Sequence, residues 1–387
     1  MLSNSTIPDG NTNHEWYILT LGGYRITMKM TQKERVMTAS RRQVPDRVPR
    51  WIDYASFAPI LMETFKKKTG ACNPAEFFNY DVRQVSFKPP VQRRIVEKYL
   101  PANFPANAEV DWNWGNVFIR ADHKNVEVTV HYALEDAETV EDIEAYPMPD
   151  FLEEYRWAHV RREVDDLHER KLAVIGAMSQ TIFEVAWGVR GFENFLTDML
   201  VNKEVARMLV DRITEMRCKM ARIFVEAGVD VLRLGDDVGV ERGMMISRAM
   251  WAEWLKPRLA RIICEAREIN PKILVFYHSD GDCRAIIPEL IEIGVDILNP
   301  VQPECMDPVE IKKLYGDKLA FWGTISTQRT MPFGTPDDVR EEVIARIETV
   351  GKGGGLLLGP SHLLQDDVPW DNVLAFFEAV DKYGVYE

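Results

Sequence analysis

The sequence is short of the features that mark secreted, membrane-spanning and nucleic-acid-binding chains. Cysteine is scarce. Cys72, Cys218, Cys264, Cys283 and Cys305 make an odd number at irregular spacing, with no Cys-x-x-Cys. That argues against a disulfide framework and for a reducing, cytoplasmic setting. No stretch approaches the roughly 18 uncharged apolar residues of a membrane span. The first residues carry Asp9 and Glu15 and no basic region ahead of an apolar one, so no signal peptide is expected. Positive charge is outweighed, 47 Lys and Arg against 60 Asp and Glu, for a formal charge of −13. A nucleic-acid binder or a partner of an anionic membrane needs a basic face, so neither is expected. Gly-x-Gly-x-x-Gly after a strand and Walker A are both missing. The run Gly351-Lys-Gly-Gly-Gly355 precedes a strand and does not open a helix, so no nucleotide cofactor is expected.

What is present is a chain of 387 residues, 46% hydrophobic, long enough for a sizeable core. Residues 1–27 read as a polar, flexible leader and residues 28–387 as one domain. Thr31-Gln-Lys-Glu34 has capping-box form and opens the first helix, which Pro45-Asp-Arg-Val-Pro49 ends. Arg50–Asp53 reads as a short strand. Residues 57–100 read as helices broken at Asn73-Pro74 and Pro89-Pro90. Val117–Arg120 and Val126–Tyr132 alternate around Asp122–Asn125, a β-hairpin inside an insertion spanning residues 105–135 of the N-terminal third.

From Tyr155 the pattern becomes regular. Apolar runs at Leu172–Gly176, Val229–Gly235, Ile273–Tyr277, Val295–Asn299, Leu319–Gly323 and Leu356–Leu358 alternate with helices, one of them broken at Asn202. Short buried strands separated by helices imply a parallel sheet with right-handed crossovers. With Arg50–Asp53 the count is seven, one short of a closed barrel. The expected fold is α/β, a (β/α)8 TIM barrel, with a doubly wound sheet as the alternative.

The strand ends collect polar residues: Asp53; Ser179 and Gln180; Asp236 and Asp237; His278, Ser279 and Asp280; Asn299, Gln302 and Glu304; Thr324 and Ser326; Ser361 and His362. On a parallel barrel these share one rim, where such folds keep their chemistry. Many are also ordinary turn formers. His278 and His362, two of only seven histidines, offer with Asp280 two nitrogens and a carboxylate, a ligand set for a divalent metal such as zinc. The same groups without metal suit general acid–base work. Asp236 and Asp237 are adjacent, so an extended strand end turns only one of them to the pocket; the other is left to helix capping or a salt bridge with Arg233 or Arg242. Expected catalytic residues are therefore Asp236, Asp237, His278, Asp280 and His362, and expected substrate-binding residues are Asp53, Ser179, Gln180, Asn299, Gln302 and Ser361. Cys283 and Cys305 follow strand ends and are either thiol ligands or small buried fillers.

These residues resemble the uroporphyrinogen decarboxylase superfamily, which includes the decarboxylase of haem synthesis, the methylcobamide:coenzyme M methyltransferases and related corrinoid-dependent demethylation enzymes. The resemblance is carried by Lys33-Glu-Arg35 with Pro45-Asp-Arg-Val-Pro49, Glu226-Ala-Gly-Val-Asp230 with Asp236-Asp237, Lys256-Pro-Arg258, His278-Ser-Asp-Gly281, Gly294-Val-Asp-Ile-Leu-Asn-Pro-Val-Gln302, Pro332-x-Gly-Thr-Pro336 and Pro360-Ser-His362. It runs from about Thr31 to the end of the chain, and it implies a barrel with an eighth strand and a cleft at the strand C-termini.

Two departures separate the branches. The decarboxylase carries Arg-Gln-Ala-Gly-Arg-Tyr where this chain has Asp53-Tyr-Ala-Ser-Phe57, without arginine. The methyltransferases carry His-x-Cys-Gly where this chain has His278–Gly281, and a second cysteine near Ser361-His362; their cysteines bind a zinc that activates a thiol. The resemblance thus implies a methyltransferase-like enzyme working with a corrinoid protein, its metal held by His278, Asp280 and His362 in a harder, more oxygen-rich site. The alternatives are a carboxy-lyase of the uroporphyrinogen type and a non-catalytic tetrapyrrole- or corrinoid-binding barrel. Barrels of this kind often pair, so a homodimer is an expectation too.

Overall fold

The structure, a computed structural model, describes residues 29–53, 56–91, 96–120 and 127–386, with the backbone of two short antiparallel strands, Thr20–Leu21 and Tyr24–Arg25. The rest of the expected leader lies outside the described residues.

Seven strands form one parallel sheet, in chain order across it: β2 (Val82–Val85), β3 (Ala173–Ala177), β4 (Val231–Gly235), β5 (Leu274–His278), β6 (Ile297–Asn299), β7 (Ala320–Ile325) and β8 (Leu356–Pro360). Residues 49–52, here β1, close the ring. Trp51 N–H donates to Leu358 O and Leu358 N–H to Pro49 O, while Asp81 N–H donates to Arg50 O on the other side. The eighth strand is thus Val82–Val85, inside the stretch read from sequence as helices. It is four residues long and carries Arg83 and Gln84, so no apolar run marks it. The expected hairpin is present as strands Asn116–Arg120 and Glu127–His131, and a third strand, Ala108–Asp111, extends it.

The N-terminal rim of the barrel is tied by a repeated device. Asp81, Asp230 and Asp296 each stand one residue ahead of a strand, and each accepts a backbone N–H from the preceding strand segment: Arg50, Val174 and Val275 at 2.8–2.9 Å. Asp81 also receives Arg35 and Arg47, and Arg35 is held by Asp46 as well. The Lys33–Arg35 and Pro45–Pro49 landmarks are therefore structural: they fasten the first helix, Gln32–Ser40, and β1 to the barrel floor. Thr31 and Glu34 cap that helix reciprocally, as its sequence expects.

The lumen is filled. Trp51, Phe276 and Trp322 meet edge to face, with ring centroids 4.9 and 5.3 Å apart. The Arg233 guanidinium lies over Trp51 and Phe276 and pairs with Asp53. The interior is thus a packed core, and folds of this kind keep their sites at the mouth. Among the described residues, no helix is long and apolar enough to cross a membrane.

Candidate active site

Strand β5 is buried at all five positions and ends in His278. Its neighbours in register are Gly235 on β4 and Asn299 on β6. Gly235 is required there, since a Cβ on it would stand 2.6 Å from His278 Cβ. Beyond β4 the two aspartates part as expected of adjacent residues. Asp236 turns inward, fully buried, and accepts the N–H groups of Ile182 and Glu184 at the start of helix Phe183–Arg190. There it caps that helix. Arg233, expected as a partner of this pair, is bound to Asp53.

Asp237 faces the opening. Its Oδ1 accepts the Asp280 N–H at 2.8 Å and lies 3.6 Å from His278 Nε2, while Asp280 Oδ1 lies 3.7 Å from the same nitrogen. Among the described residues, Asp237, His278 and Asp280 are the one group of three with ligand atoms all within 4.8 Å of each other. His362 stands next to them, its ring centroid 6.3 Å from that of His278, outside that group of three. Asp237 thus stands where the sequence reading sets His362.

Charge is crowded here. Burial raises the Asp280 carboxyl, and Asp237 adds to the effect against His278 and His362. Glu184, unremarked in the sequence, accepts the Asp237 N–H at 2.9 Å. Burial, and then the charges of Asp237 and Asp236, push its carboxyl up to about 9. Burial lifts Asp236 to about 7, against three backbone N–H groups and Arg217. Crowded carboxylates can be relieved by protons or by a cation.

The geometry fits a cation. Among the described residues, the buried Asp280 Oδ1 has no hydrogen-bond partner. Ligand atoms of a tetrahedral zinc at about 2.0–2.1 Å stand roughly 3.3 Å apart, close to the 3.6 and 3.7 Å here. An imidazole with two carboxylates suits zinc or a harder divalent ion.

The remaining expected residues divide. Asp53 is buried against Arg233; burial raises its carboxyl, but Arg233, with His278 and His362, holds it below the ordinary range. Asn299 bonds His278 and the Trp322 carbonyl. Gln302 Oε1 accepts the Gly281 N–H, and Ser361 Oγ donates to the Ile325 carbonyl from a buried position. Ser179 is half-buried and Gln180 exposed. Cys283 is buried and its thiol is pushed up to about 12; burial likewise lifts Cys305 to about 11.

Fold and site together define a (β/α)8 barrel with an acidic histidine site at the C-terminal ends of β4 and β5. The chain belongs to the uroporphyrinogen decarboxylase (URO-D) family, whose pattern matches residues 128–383. That match begins well after Thr31, so the first two strands lie outside it. The chain is 25% identical over 210 residues to the methylcobamide:CoM methyltransferase MtaA of Methanosarcina barkeri, covering 54% of this chain and 58% of that protein. It is 23% identical over 253 residues to the uroporphyrinogen decarboxylase of Chlorobium phaeobacteroides, covering 63% and 70%. In structure it resembles a methyltransferase from Methanosarcina mazei, with a TM-score of 0.66 and 18% identity over 91% of this chain and 99% of that one. The likeness therefore reaches the methyltransferase branch as well as the decarboxylases, and the last match supports the barrel.

Proposed function

We propose that this chain is a methyltransferase-like enzyme that moves a methyl group to or from a corrinoid carried by a partner protein, and that it works in the cytoplasm. The observation that carries the reading is the facing of His278 Nε2 by the Asp237 and Asp280 oxygens, one of them buried and unbonded, at the mouth of the barrel. Asp237, His278 and Asp280 would hold a divalent metal, zinc by preference, with His362 beside them. Such a metal supplies Lewis acidity that activates a thiol or polarises a bound oxygen. The chain's own part is positioning. Asp237 and Asp280 are fixed to each other by the Asp280 N–H, Glu184 holds the Asp237 backbone, and the Trp51–Phe276–Trp322 floor closes the site from below.

The carboxy-lyase reading is less well supported. A polycarboxylate substrate needs cations to receive it, yet the mouth gathers Asp53, Glu184, Asp237 and Asp280, and Arg233 is already neutralised by Asp53. The binding-barrel reading has less behind it, since carboxyls raised by burial and crowded into one cleft favour a working site.

Incubation with methylcobalamin and small thiols, followed by absorbance, tests the proposal. The expected outcome is demethylation of the corrinoid that stops on chelation and in His278→Ala. Decarboxylation of uroporphyrinogen by metal-free protein, with methylcobalamin untouched, would overturn it.

A further inference from the structure

We infer that Asn299 is a positioning residue that fixes the tautomer of His278 and leaves Nε2 as a bare lone pair aimed at the gap between Asp237 and Asp280. The inference uses the proposed function only to say what Nε2 is for.

Asn299 is buried at the end of β6, beside His278 in register. Its Nδ2 lies 2.7 Å from the Trp322 carbonyl on β7. A carbonyl only accepts, so the amide end of the side chain that faces it must be NH2. The opposite end, Oδ1, therefore faces His278 Nδ1, 2.5 Å away. An amide oxygen also only accepts, so Nδ1 must carry the hydrogen. A neutral imidazole has one N–H, and Nε2 is left without it. Rotating the Asn299 amide by half a turn would set oxygen against the Trp322 carbonyl and is not an alternative.

The Asp237 and Asp280 oxygens stand 3.6 and 3.7 Å from Nε2, beyond hydrogen-bond length. The Asn299 side chain thus ties the ends of β5, β6 and β7 together. β6 and β7 stay in close contact just beyond it, where a Cβ on Gly323 would stand 2.8 Å from the Pro300 carbonyl. Each polar atom of Asn299 has a partner within the protein, which takes up one lone pair of Oδ1 and one N–H of Nδ2.

The experiment is a long-range ¹H–¹⁵N correlation on the full chain labelled at histidine and stripped of metal, with the His278 signals assigned by their loss in His278→Gln. Wild type should show His278 protonated at Nδ1. Asn299→Asp keeps an acceptor for Nδ1 but sets its second oxygen against the Trp322 carbonyl, so it should keep the hydrogen on Nδ1 at a cost in stability. Asn299→Leu should move the proton to Nε2 or mix the two forms, and should weaken zinc affinity, read by chelator competition, about 10–100-fold. A wild-type His278 protonated at Nε2, or Asn299→Leu with tautomer and zinc affinity unchanged, overturns the inference. If Asn299→Leu fails to fold by circular dichroism, Asn299→Ala is read the same way. A tautomer that follows residue 299 in a protein that never binds zinc leaves the inference standing and removes the metal from the proposed function.

Discussion

Asp53 and Arg233 lie 180 positions apart in the chain and meet inside the barrel as a two-point ion pair shielded from solvent. The guanidinium is sandwiched against Trp51 and Phe276, so the pair is both the lid of the aromatic floor and the base of the site above it.

Breaking that pair from one side should be severe. Arg233→Met leaves a buried carboxylate without its counterion, which costs about 3–5 kcal/mol of stability. Asp53→Asn in the same chain removes the orphaned charge, so the double variant should be more stable than Arg233→Met alone. Urea unfolding of the single and double variants checks this. Strictly additive losses would show that the two side chains act separately.

The first helix is anchored by Arg35, which reaches Asp46 and Asp81. Burial raises the Asp46 carboxyl, but the bond and charge of Arg35, with the N–H groups of Arg47 and Met30, outweigh it and hold it below the ordinary range. A lowered acid contributes stability that is complete above the unfolded-state value, near 3.9 for Asp, and is lost as pH falls through the folded one. Stability should therefore drop below about pH 4, and Asp46→Asn should be less stable than wild type at neutral pH and less sensitive to that fall. Parallel pH–stability curves for the two proteins would count against the anchor.

Much of this architecture is legible in the sequence, and the reasons for the gaps are physical. Strands β3 to β8 are buried and nearly all apolar, so they stand out as runs between helices. β2 does not, because Arg83 points out to Glu76 and carbonyl oxygens at the floor while Gln84 sits one position on. At the site, alternation along a strand end says that Asp236 and Asp237 diverge but not which one faces in. That is decided by helix Phe183–Arg190, whose first N–H groups claim Asp236. Glu184 is the residue missed outright. A glutamate in the first turn of a helix is an ordinary, dipole-favoured placement, and nothing local marks it as lying behind Asp237.

The cysteines offer a sharp contrast with a thiolate zinc site. Cys283 and Cys305 have thiols raised by burial to about 12 and about 11, so neither is ionised at neutral pH. Cys283→Ala and Cys305→Ser should leave metal content unchanged. A thiol reagent applied to the folded protein should label the exposed Cys72 and Cys264 first. Loss of metal in either variant would move the site away from Asp237 and Asp280.

Gly281 offers a test of the loop after β5. Its φ is +76°, and a Cβ there would stand 2.5 Å from the Gly239 backbone. Gly281→Ala should thus push the Asp280 loop off the loop that follows Asp237, lowering stability by about 1–3 kcal/mol and weakening zinc binding. Unaltered unfolding and metal affinity would contradict the close approach of the two loops.

The most direct test is metal analysis of the purified protein beside Asp237→Asn, His278→Ala and Asp280→Asn, each shown by circular dichroism to be folded. Near-stoichiometric zinc in the wild type, lost from all three variants, is the predicted result. Zinc that persists in all three, or a wild type that takes up no divalent metal from a buffered excess, would contradict it.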